Sequence, residues 1–272
     1  MKLKDAVVLI TGAARGIGRA EAEAFAARGS RLVLVDVLEK TLQDTATEIA
    51  ARQVDALPLV CDITDVGQVE KMVERVESGF GPIDILINNA GTFSVIDPVW
   101  DADPERWFRD ICTNLYGTFL CCRAVVRRMV ARGRGYVLNT VGGGISDPHP
   151  YCTSYASSKT GLMRLTEGLA AEAKPHRVKV FALAPPAVLT DMTRFIMDDP
   201  GGKKWRPNFH EIFERGWDGP PEVVANMALS LVSGKADALT GRYFEATSDF
   251  EQTVGRADEI LAEDLLTLRI RQ

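Results

Sequence analysis

A chain of 272 residues fits one large domain more easily than two, and a content of 46% hydrophobic and 25% charged residues is typical of a globular protein. The formal net charge of -5 favours neither nucleic acid nor an anionic membrane as a partner. Because no apolar run reaches about 18 residues and no secretory signal precedes the first predicted strand, we expect a cytoplasmic protein that binds a small molecule and does not enter a membrane.

Short apolar runs alternate with amphipathic stretches along the chain. Runs that are almost entirely apolar are typical of strands covered on both faces, and strands that alternate with helices pair in parallel through right-handed crossovers. The pattern therefore predicts an α/β fold. The predicted strands are residues 6–11, 31–36, 56–61, 83–88, 136–139, 178–183 and 242–245. The predicted helices are residues 19–28, 40–52, 68–78, 104–131, 154–173 and 221–233.

The five cysteines contain no Cys-x-x-Cys pair, and their number is odd. This pattern indicates neither a disulfide framework nor a zinc site. We predict reduced, mostly buried thiols and no bound metal.

Residues 190–220 form the most irregular internal stretch, rich in proline, glycine and charge. A segment of this length without secondary structure is usually functional or partly disordered, so we interpret it as a substrate lid with apolar side chains such as Met192 and Phe209. For its charged side chains, a solvated surface is favoured over contact with an acidic group. These side chains are Lys203, Lys204, Arg206 and His210.

Residues 246–272 form a C-terminal extension to the alternating pattern. Within it, residues 255–272 place Ile260, Leu265 and Ile270 among charged residues, which predicts an amphipathic helix. Packing or subunit contact is favoured over a direct role in a site.

A glycine-rich loop follows the first predicted strand and opens the first predicted helix. Gly12, Gly16 and Gly18 give the spacing Gly-x-x-x-Gly-x-Gly, with Arg15 and Ile17 between them. Backbone amides and the helix dipole at such a loop can bind a pyrophosphate. The alternative is a plain glycine turn between strand and helix.

Two carboxylates follow the second and third predicted strands. Asp36 stands where an acid binds the adenosine ribose hydroxyls and would repel a 2′-phosphate, whereas Arg15 in the glycine loop is a signal for NADP. NAD is favoured because Val37 adds no second cation. Asp62, followed by Ile63, is predicted either to accept a hydrogen bond from the adenine amino group or to cap the helix after Thr64.

Tyr155 and Lys159 are four positions apart in the predicted helix 154–173 and so share one face. The ammonium of Lys159 would lie near the phenol of Tyr155 and favour its ionised form. Because a free phenol titrates near pH ~10, we predict a lowered Tyr155 pKa and a role as a base. The same spacing also occurs by chance on solvated helix faces.

An Asn-Asn-Ala-Gly run at residues 88–91 follows the fourth predicted strand, and Asn114 lies in the next predicted helix. The order of these motifs with Tyr155 and Lys159 resembles the short-chain dehydrogenase/reductase family over residues 6–245. The resemblance implies a single doubly wound Rossmann-type α/β domain, residues 1–272, with a seven-stranded parallel sheet flanked by helices on both faces. It also implies a homotetramer or homodimer and hydride transfer between a nicotinamide and an alcohol or carbonyl.

The resemblance also assigns roles to individual residues. It makes Tyr155 the general acid/base, lets Lys159 bind the nicotinamide ribose and lower the tyrosine pKa, and lets Asn114 anchor a water of the proton relay. A buried asparagine that satisfies a helix irregularity is the alternative for Asn114. The further residues expected at the cofactor are Asn89, Ala90, Gly91, Pro185, Val188 and Thr190, the last of which holds the nicotinamide carboxamide. For Asn88, Ala90 and Gly91, stabilisation of the central sheet is an alternative at least as favoured as contact with the adenosine.

The chain departs from the family where an active-site serine is usual, since that position is Gly142. Such a hydroxyl can contribute roughly 2.7 to 4 kcal/mol to transition-state stabilisation. Three alternatives remain open: another donor replaces it, the substrate or a water fills the space that the glycines leave, or carbonyl chemistry is lost. The candidate donors are Thr140, Ser146, His149, Thr153 and Ser154. The candidate substrate contacts are Gly142, Gly143, His149 and Met192.

These observations predict an NAD-dependent oxidoreductase that interconverts a secondary alcohol and a ketone on a fairly large, cyclic substrate. Because the usual serine is absent, a lyase, hydratase or isomerase on the same scaffold and a non-catalytic NAD-binding protein remain alternatives. Gly142 is the one sequence feature that bears on this choice.

Overall fold

The computed structural model describes residues 2–270, and its centre is a seven-stranded sheet with the strand order β3-β2-β1-β4-β5-β6-β7. All neighbouring strands are parallel. The predicted fold class is confirmed, and every predicted strand end lies within one residue of an observed one. The strands are β1 (Val7–Thr11), β2 (Arg31–Asp36), β3 (Ala56–Val60), β4 (Ile83–Asn88), β5 (Gly135–Thr140), β6 (Val178–Ala184) and β7 (Tyr243–Glu245).

Helices cover both faces of the sheet. Side chains alternate along each strand, so Val8 and Ile10 of β1 enter one core and Val7 and Leu9 enter the other. The first core contains side chains of α1 (Gly16–Ala26), α2 (Glu39–Ala50) and α10 (Pro221–Leu231). The second contains side chains of α3 (Val66–Gly79), α5 (Thr118–Arg132) and α6 (Thr153–Ala173). No helix within residues 2–270 is both long and apolar enough to cross a membrane.

The strand order determines where a site can form. The chain builds β1, β2 and β3 toward one edge and then returns to pair β4 with the other side of β1. Because all strands are parallel, their carboxyl ends share one edge of the sheet, and a crevice opens where the direction of winding reverses. The loops after β1 and β4 lie beside this crevice.

The predicted helix 104–131 is interrupted in the structure. It consists of α4 (Pro104–Ile111), a π-helical segment (Cys112–Gly117) and α5. A π-helical turn is wider than an α-helical one and often occurs at functional sites. Helical periodicity alone did not distinguish this segment from a continuous helix.

The lid segment, residues 190–220, contains more regular structure than its composition suggested. It forms α7 (Asp191–Asp198), α8 (Pro200–Trp205) and α9 (Glu211–Glu214). The side chains of Thr190 and Asp199 cap α7 and α8 by accepting hydrogen bonds from backbone amides in their first turns. Local capping therefore gives helices to a segment whose proline and glycine content indicated a loop.

The amphipathic helix predicted for residues 255–272 is wrong over most of its length. The extension forms the short helices α11 (Phe250–Gly255) and α12 (Ala257–Ala262), and positive φ angles at Asp264 and Leu266 end helical structure there. The carbonyl of Leu266 then accepts a hydrogen bond from the amide of Tyr243 in β7 (3.0 Å). The tail thus covers the edge of the sheet. Residues 1, 271 and 272 lie outside the described residues.

The cysteines agree with the prediction of mostly buried thiols. Cys112 is partly exposed, and the other four are buried. Within residues 2–270, no cluster of His, Cys, Asp or Glu side chains is suited to hold a metal ion.

Glu21 on α1 is a buried acid in an otherwise apolar core. Its side chain is 0% exposed, and neither carboxylate oxygen has a hydrogen-bond partner among residues 2–270. Burial raises the pKa of Glu21 from 4.5 to about 8. The folded protein therefore retains a proton that the unfolded chain releases above pH ~4.5.

We expect Glu21→Leu to stabilise the protein by an amount that depends on pH. The unfolded state binds fewer protons than the folded state between the two pKa values, so native stability falls with rising pH across that window. The gain from the substitution should be near its minimum at pH ~4.5 and reach on the order of 3 kcal/mol at pH ~7. Denaturant unfolding of both proteins across this pH range measures it.

Glu23→Gln is the matched control, because Glu23 lies on the same helix but pairs with Arg19 at the surface. A gain of the same pH dependence in this control, or a gain for Glu21→Leu that does not change with pH, would contradict the assignment of a neutral buried acid.

Candidate active site

A cleft of about 1060 Å³ opens at the carboxyl edge of the sheet. Nearly all residues that the sequence predicted for a cofactor or substrate line it. Gly18 and the predicted catalytic residue Asn114 do not line it. The predicted cofactor residues that line it are Gly12, Arg15, Gly16, Ile17, Asp36, Asp62, Ile63, Asn89, Ala90, Gly91, Tyr155, Lys159, Pro185, Val188 and Thr190. The predicted substrate residues that line it are Gly142, Gly143, His149 and Met192.

The glycine-rich loop leaves the first amides of α1 without a side-chain cap. Gly12 has a φ of +66°, which favours glycine. A Cβ atom on Gly18 would lie 2.6 Å from Nδ2 of Asn89, so a side chain at this position would break the packing of the loop. Arg15 precedes α1 and makes no side-chain hydrogen bond to it. Free amides at a helix N-terminus inside a cleft fit the phosphates of a dinucleotide.

Asn89 holds the glycine-rich loop from the end of β4. Its Nδ2 donates hydrogen bonds to the carbonyl oxygens of Thr11 and Gly12, both at 3.1 Å. The hydroxyl of Thr11 in turn accepts from the amide of Ala90 at 3.1 Å. Asn88 points elsewhere, since its Nδ2 donates to Oδ1 of Asn139 in β5 (2.9 Å). The Asn-Asn-Ala-Gly run therefore joins two strands and positions the glycine-rich loop.

Asp36 lies at the end of β2 at the far end of the cleft from Tyr155. Its two carboxylate oxygens accept hydrogen bonds from the amides of Ala14 and Leu38, each at 3.1 Å. Arg15, the sequence signal for NADP, forms an ion pair with Asp191 of α7. The guanidinium is therefore already paired with a carboxylate of the lid segment.

Asp62 lines the cleft but does not cap a helix. Its Oδ1 accepts hydrogen bonds from the amide and the hydroxyl of Thr64, at 2.9 and 2.7 Å. The cap of α3 is Asp65, which accepts from the amide of Gln68. The helix-cap alternative for Asp62 is therefore wrong.

Tyr155 and Lys159 lie one turn apart on α6, and both side chains reach the cleft. Lys159 is 3% exposed, and its Nζ donates a hydrogen bond to the carbonyl oxygen of Thr140 at the end of β5 (2.8 Å). The same Nζ lies 5.6 Å from the centre of the Tyr155 ring. The ring of Phe93 packs against Tyr155 with a centroid distance of 4.6 Å.

The predicted lowering of the Tyr155 pKa is wrong for the protein alone. Burial, with a smaller contribution from the charge of Asp110, raises the pKa of Tyr155 to about 12. Burial also lowers the pKa of Lys159 from 10.5 to about 8. Lys159 is buried and Tyr155 is partly buried at the cleft, and burial is the main cause of both pKa shifts.

Asn114 lies in the π-helical segment and is fully buried. Its side chain accepts a hydrogen bond from the amide of Thr92 (2.7 Å) and donates to the Thr92 carbonyl (2.9 Å). It also donates to the hydroxyl of Ser158 on α6 (3.0 Å). The side chain joins the loop after β4 to α6, and the sequence prediction did not anticipate these bonds.

The sequence profile of the short chain dehydrogenase family matches residues 6–201. The chain belongs to this family. It is therefore an oxidoreductase that interconverts alcohols and carbonyl compounds and binds a nicotinamide dinucleotide.

Similar proteins of this family differ in cofactor. The NAD-dependent glycerol dehydrogenase of Listeria innocua serovar 6a is 33% identical over 243 residues, 88% of this chain and 91% of that protein. NAD⁺-bound xylitol dehydrogenase is 25% identical with a TM-score of 0.82, covering 90% of this chain and 98% of that one. A gluconate 5-dehydrogenase from Burkholderia cenocepacia J2315, in complex with NADP and tartrate, is 28% identical with a TM-score of 0.80, covering 93% and 97%.

Asp110 of α4 is a buried carboxylate that the sequence prediction missed. It is 0% exposed and accepts hydrogen bonds from the hydroxyls of Thr92, Ser94 and Ser154 and from the amide of Ser94, at 2.7 to 3.0 Å. These bonds tie α4 and the loop after β4 to the start of α6, immediately before Tyr155. No local motif marks this aspartate, because its partners come from distant parts of the chain.

The Tyr155 phenol lies close to the backbone of Gly142. A Cβ atom on Gly142 would overlap the Tyr155 hydroxyl and lie 3.0 Å from Cζ of the ring. The phenol therefore occupies space that any side chain at position 142 would take. Within residues 2–270, the Tyr155 hydroxyl has no hydrogen-bond partner.

Of the five donors considered in place of the serine, Thr140 and His149 line the cleft. Ser154 donates its hydroxyl hydrogen to Asp110 and is engaged elsewhere. The Thr153 hydroxyl accepts from Nε1 of Trp107 (3.0 Å) and does not line the cleft. The hydroxyl of Thr140 is buried and has no hydrogen-bond partner in the part of the chain that the structure describes.

We expect Gly142→Ala to lower kcat for alcohol oxidation by about 100-fold, because the added Cβ must displace the reacting phenol and small misplacements can have effects of this size. Gly142→Ser should lower kcat by a similar factor, since the Cβ of the serine meets the same atoms of Tyr155. Steady-state kinetics on a panel of secondary alcohols, with cofactor affinity measured separately, tests this.

Gly168→Ala is the matched control, because Gly168 lies on the same helix as Tyr155 and a Cβ there meets no atom within 4 Å. A Gly142→Ser enzyme more active than the natural protein would show instead that position 142 simply lacks a useful hydroxyl.

Proposed function

We propose that this protein is an NAD(H)-dependent oxidoreductase that interconverts a secondary alcohol and a ketone, with Tyr155 as the general acid/base. The observation that carries the proposal is the placement of Tyr155 and Lys159 on one helix face inside the cleft that also contains the uncapped N-terminus of α1. A proton-transfer group and a phosphate-binding loop serve the same ligand only when they share a cavity.

The residues at the adenosine end support NAD over NADP. The Asp36 carboxylate suits the ribose hydroxyls and would repel a 2′-phosphate. Arg15 would have to leave Asp191 before it could neutralise such a phosphate. The amides at the start of α1 would bind the pyrophosphate, and Val188 and Thr190 would contact the nicotinamide.

The nicotinamide, when bound, supplies the hydride acceptor or donor. Tyr155 transfers the proton: its hydroxyl protonates the carbonyl oxygen in reduction, and its phenolate takes the alcohol proton in oxidation. Lys159 contributes positive charge next to the phenol and a donor for ribose hydroxyls. Asn114 fixes the segment between β4 and α6, and a water held near it would connect Lys159 to solvent.

The acid–base properties of the site favour a protonated Tyr155 at neutral pH, since its pKa is raised to about 12. The phenol is then ready to donate a proton in ketone reduction. Alcohol oxidation requires its deprotonated form, so the oxidation rate should rise with pH. Lys159, with a pKa lowered to about 8, retains most of its charge near neutrality.

The substrate end of the cleft has apolar walls formed by Phe93, Met192, Ile196, Phe209 and Ile212. Four of these side chains, all except Phe93, come from the lid segment after α7 begins. Such walls suit a fairly large carbon skeleton with few polar groups, and we include a cyclic skeleton and a lid function for residues 190–220 in the proposal.

We also propose a homo-oligomer, a tetramer or a dimer, with α4, the π-helical segment and α5 at the subunit contact. Phe108, Tyr116 and Phe119 are 62, 45 and 41% exposed there. Tyr116 and Phe119 stack on each other at the surface, with ring centroids 6.2 Å apart. Exposed aromatic clusters of this kind are typical of interfaces.

Tyr155→Phe should lower kcat by about 100- to 10,000-fold, the contribution of a positioned acid or base, while NADH affinity stays the same. The phenylalanine keeps the packing against Phe93 and removes only the hydroxyl. Turnover is followed by nicotinamide absorbance and cofactor affinity by fluorescence titration.

Tyr151→Phe, which removes a hydroxyl from a ring stacked on Trp205, is the control and should change kcat little. Full activity of Tyr155→Phe, or turnover of substrate without change in the nicotinamide, would refute the proposed reaction.

Asp36→Ala should lower kcat/KM for NAD by about 10- to 100-fold, because hydrogen bonds to a charged group are lost. It should also raise kcat/KM for NADP relative to that for NAD, because the carboxylate no longer repels a 2′-phosphate. Glu39→Gln removes one nearby surface charge outside the cleft and is the matched control. A natural protein that already prefers NADP would contradict the assignment.

A further inference from the structure

Arg206 brings a positive charge from the lid segment into the substrate end of the cleft. It lies between α8 and α9, is half-buried and lines the cavity. One terminal nitrogen of its guanidinium contacts Nε2 of His149 and lies 3.6 Å from Sγ of Cys152. Its guanidinium also lies 5.3 Å from the centre of the Phe209 ring. The sequence favoured a solvated surface for this residue, whereas in the structure its side chain is half-buried and lines the cleft.

The charge of Arg206 has no carboxylate partner within residues 2–270. A guanidinium has five N–H donors, and the two polar contacts of Arg206 use a single nitrogen atom. Its remaining donors have no partner in the described structure. A half-buried cation with free donors needs an anion or water to complete its hydrogen bonding.

His149 does not balance this charge. Burial and the nearby guanidinium of Arg206 lower the pKa of His149 to about 4, so its imidazole is neutral near pH 7. A neutral ring accepts from Arg206 with one nitrogen and has an N–H to donate with the other. Arg206 and His149 together offer several donors and one positive charge.

The other charged side chains of the cleft also leave more positive than negative charge at its substrate end. The acidic residues that line it are Asp36 and Asp62 at the adenosine end and Asp191, which pairs with Arg15. The further cations on its wall are Lys159, which is buried, and Arg109 and Arg194, which are exposed. The substrate end of the cleft is therefore positively charged.

The cation lies beside the reacting group. The His149 ring rests against Gly143, where a Cβ atom would be 3.2 Å from Cε1, and the Tyr155 phenol rests against Gly142. Successive Cα atoms are about 3.8 Å apart, so the two side chains face neighbouring stretches of the wall. The phosphate loop follows β1, and β4 separates it from β5, so Arg206 is not placed for the cofactor pyrophosphate.

We propose that Arg206, with His149, binds a carboxylate carried by the substrate, so that the enzyme acts on a hydroxy acid or keto acid. The proposal rests on the proposed function for the reacting carbon but concerns a separate group of the same molecule. A single guanidinium beside a neutral imidazole matches one negative charge. The apolar walls accommodate the carbon skeleton between the acid and the alcohol.

The test compares a charged probe with its neutral isostere. Binding of 4-oxocyclohexanecarboxylate and of 4-oxocyclohexanecarboxamide to the NADH-saturated protein is measured by calorimetry. The natural protein should bind the acid about 10- to 100-fold more tightly than the amide, the range for a charge-assisted hydrogen bond. Arg206→Gln should abolish this preference and leave amide affinity unchanged, which also shows that the variant is folded.

Lys203→Gln is the matched control, because it removes an exposed cation of α8 that does not line the cleft, and it should keep the preference. Arg206→Lys keeps the charge but loses the planar fork, and should retain part of the preference. Equal affinity of the natural protein for acid and amide, or a preference that survives in Arg206→Gln, would overturn the proposal.

The outcome for the subsite is independent of the outcome for the reaction. If the protein binds the acid through Arg206 but reduces neither probe nor any other ketone, the carboxylate site stands and the proposed function fails. If it reduces both probes equally well and binds them equally, the function stands and the carboxylate site fails.

Discussion

The hydrogen bond from Nζ of Lys159 to the carbonyl oxygen of Thr140 joins the middle of α6 to the end of β5, and the geometry of the site depends on it. An ammonium that is 3% exposed needs such an acceptor, because burial of an unpaired charge is strongly unfavourable. The bond holds this turn of α6 against the end of β5. Tyr155, one turn earlier on the same face, is thereby directed at the backbone of Gly142.

A network of buried polar groups fixes the remaining side of the same helix. Asp110 of α4 accepts from Ser154, and Asn114 of the π-helical segment donates to Ser158, so residues adjacent to Tyr155 and Lys159 are both held. Buried networks of this kind are stable only when each member has its partners. The π-helical segment directs the Asn114 side chain into the protein interior. This accounts for the interruption of the regular helix between α4 and α5.

The sequence predicted those features that depend on local pattern. Strand positions and the parallel sheet follow from apolar periodicity, and the predicted strand ends agree with the structure to within a residue. The glycine spacing marked a loop that lines the cleft. Features that depend on contacts between distant residues were missed or wrong. Asp110 has no local signature, and the raised pKa of Tyr155 arises from burial by Phe93 and its neighbours, which spacing along a helix does not report.

The lid segment shows the same limit. Composition indicated an irregular surface, whereas capping by Thr190 and Asp199 creates short helices that carry Arg206 inward. Whether a charged side chain faces solvent or a cavity depends on the path of the folded chain. The sequence gives the charge but does not show which of the two it faces. Function at this end of the cleft therefore had to be inferred from the folded structure.

Gly142 and Gly143 bear on the three alternatives left open by the missing serine. The absence of both side chains recesses the wall of the cleft, yet the recess is filled by the protein: Tyr155 packs against the first glycine and His149 against the second. Room for a bulky substrate is therefore not what these glycines provide at this point of the wall. Their effect is to bring the Tyr155 phenol and a neutral imidazole that contacts Arg206 against adjacent residues. Under the proposed function and the proposed carboxylate site, the close phenol would transfer the proton and Arg206 would orient the substrate through its charge, two contributions that would take the place of a hydroxyl that polarises the substrate.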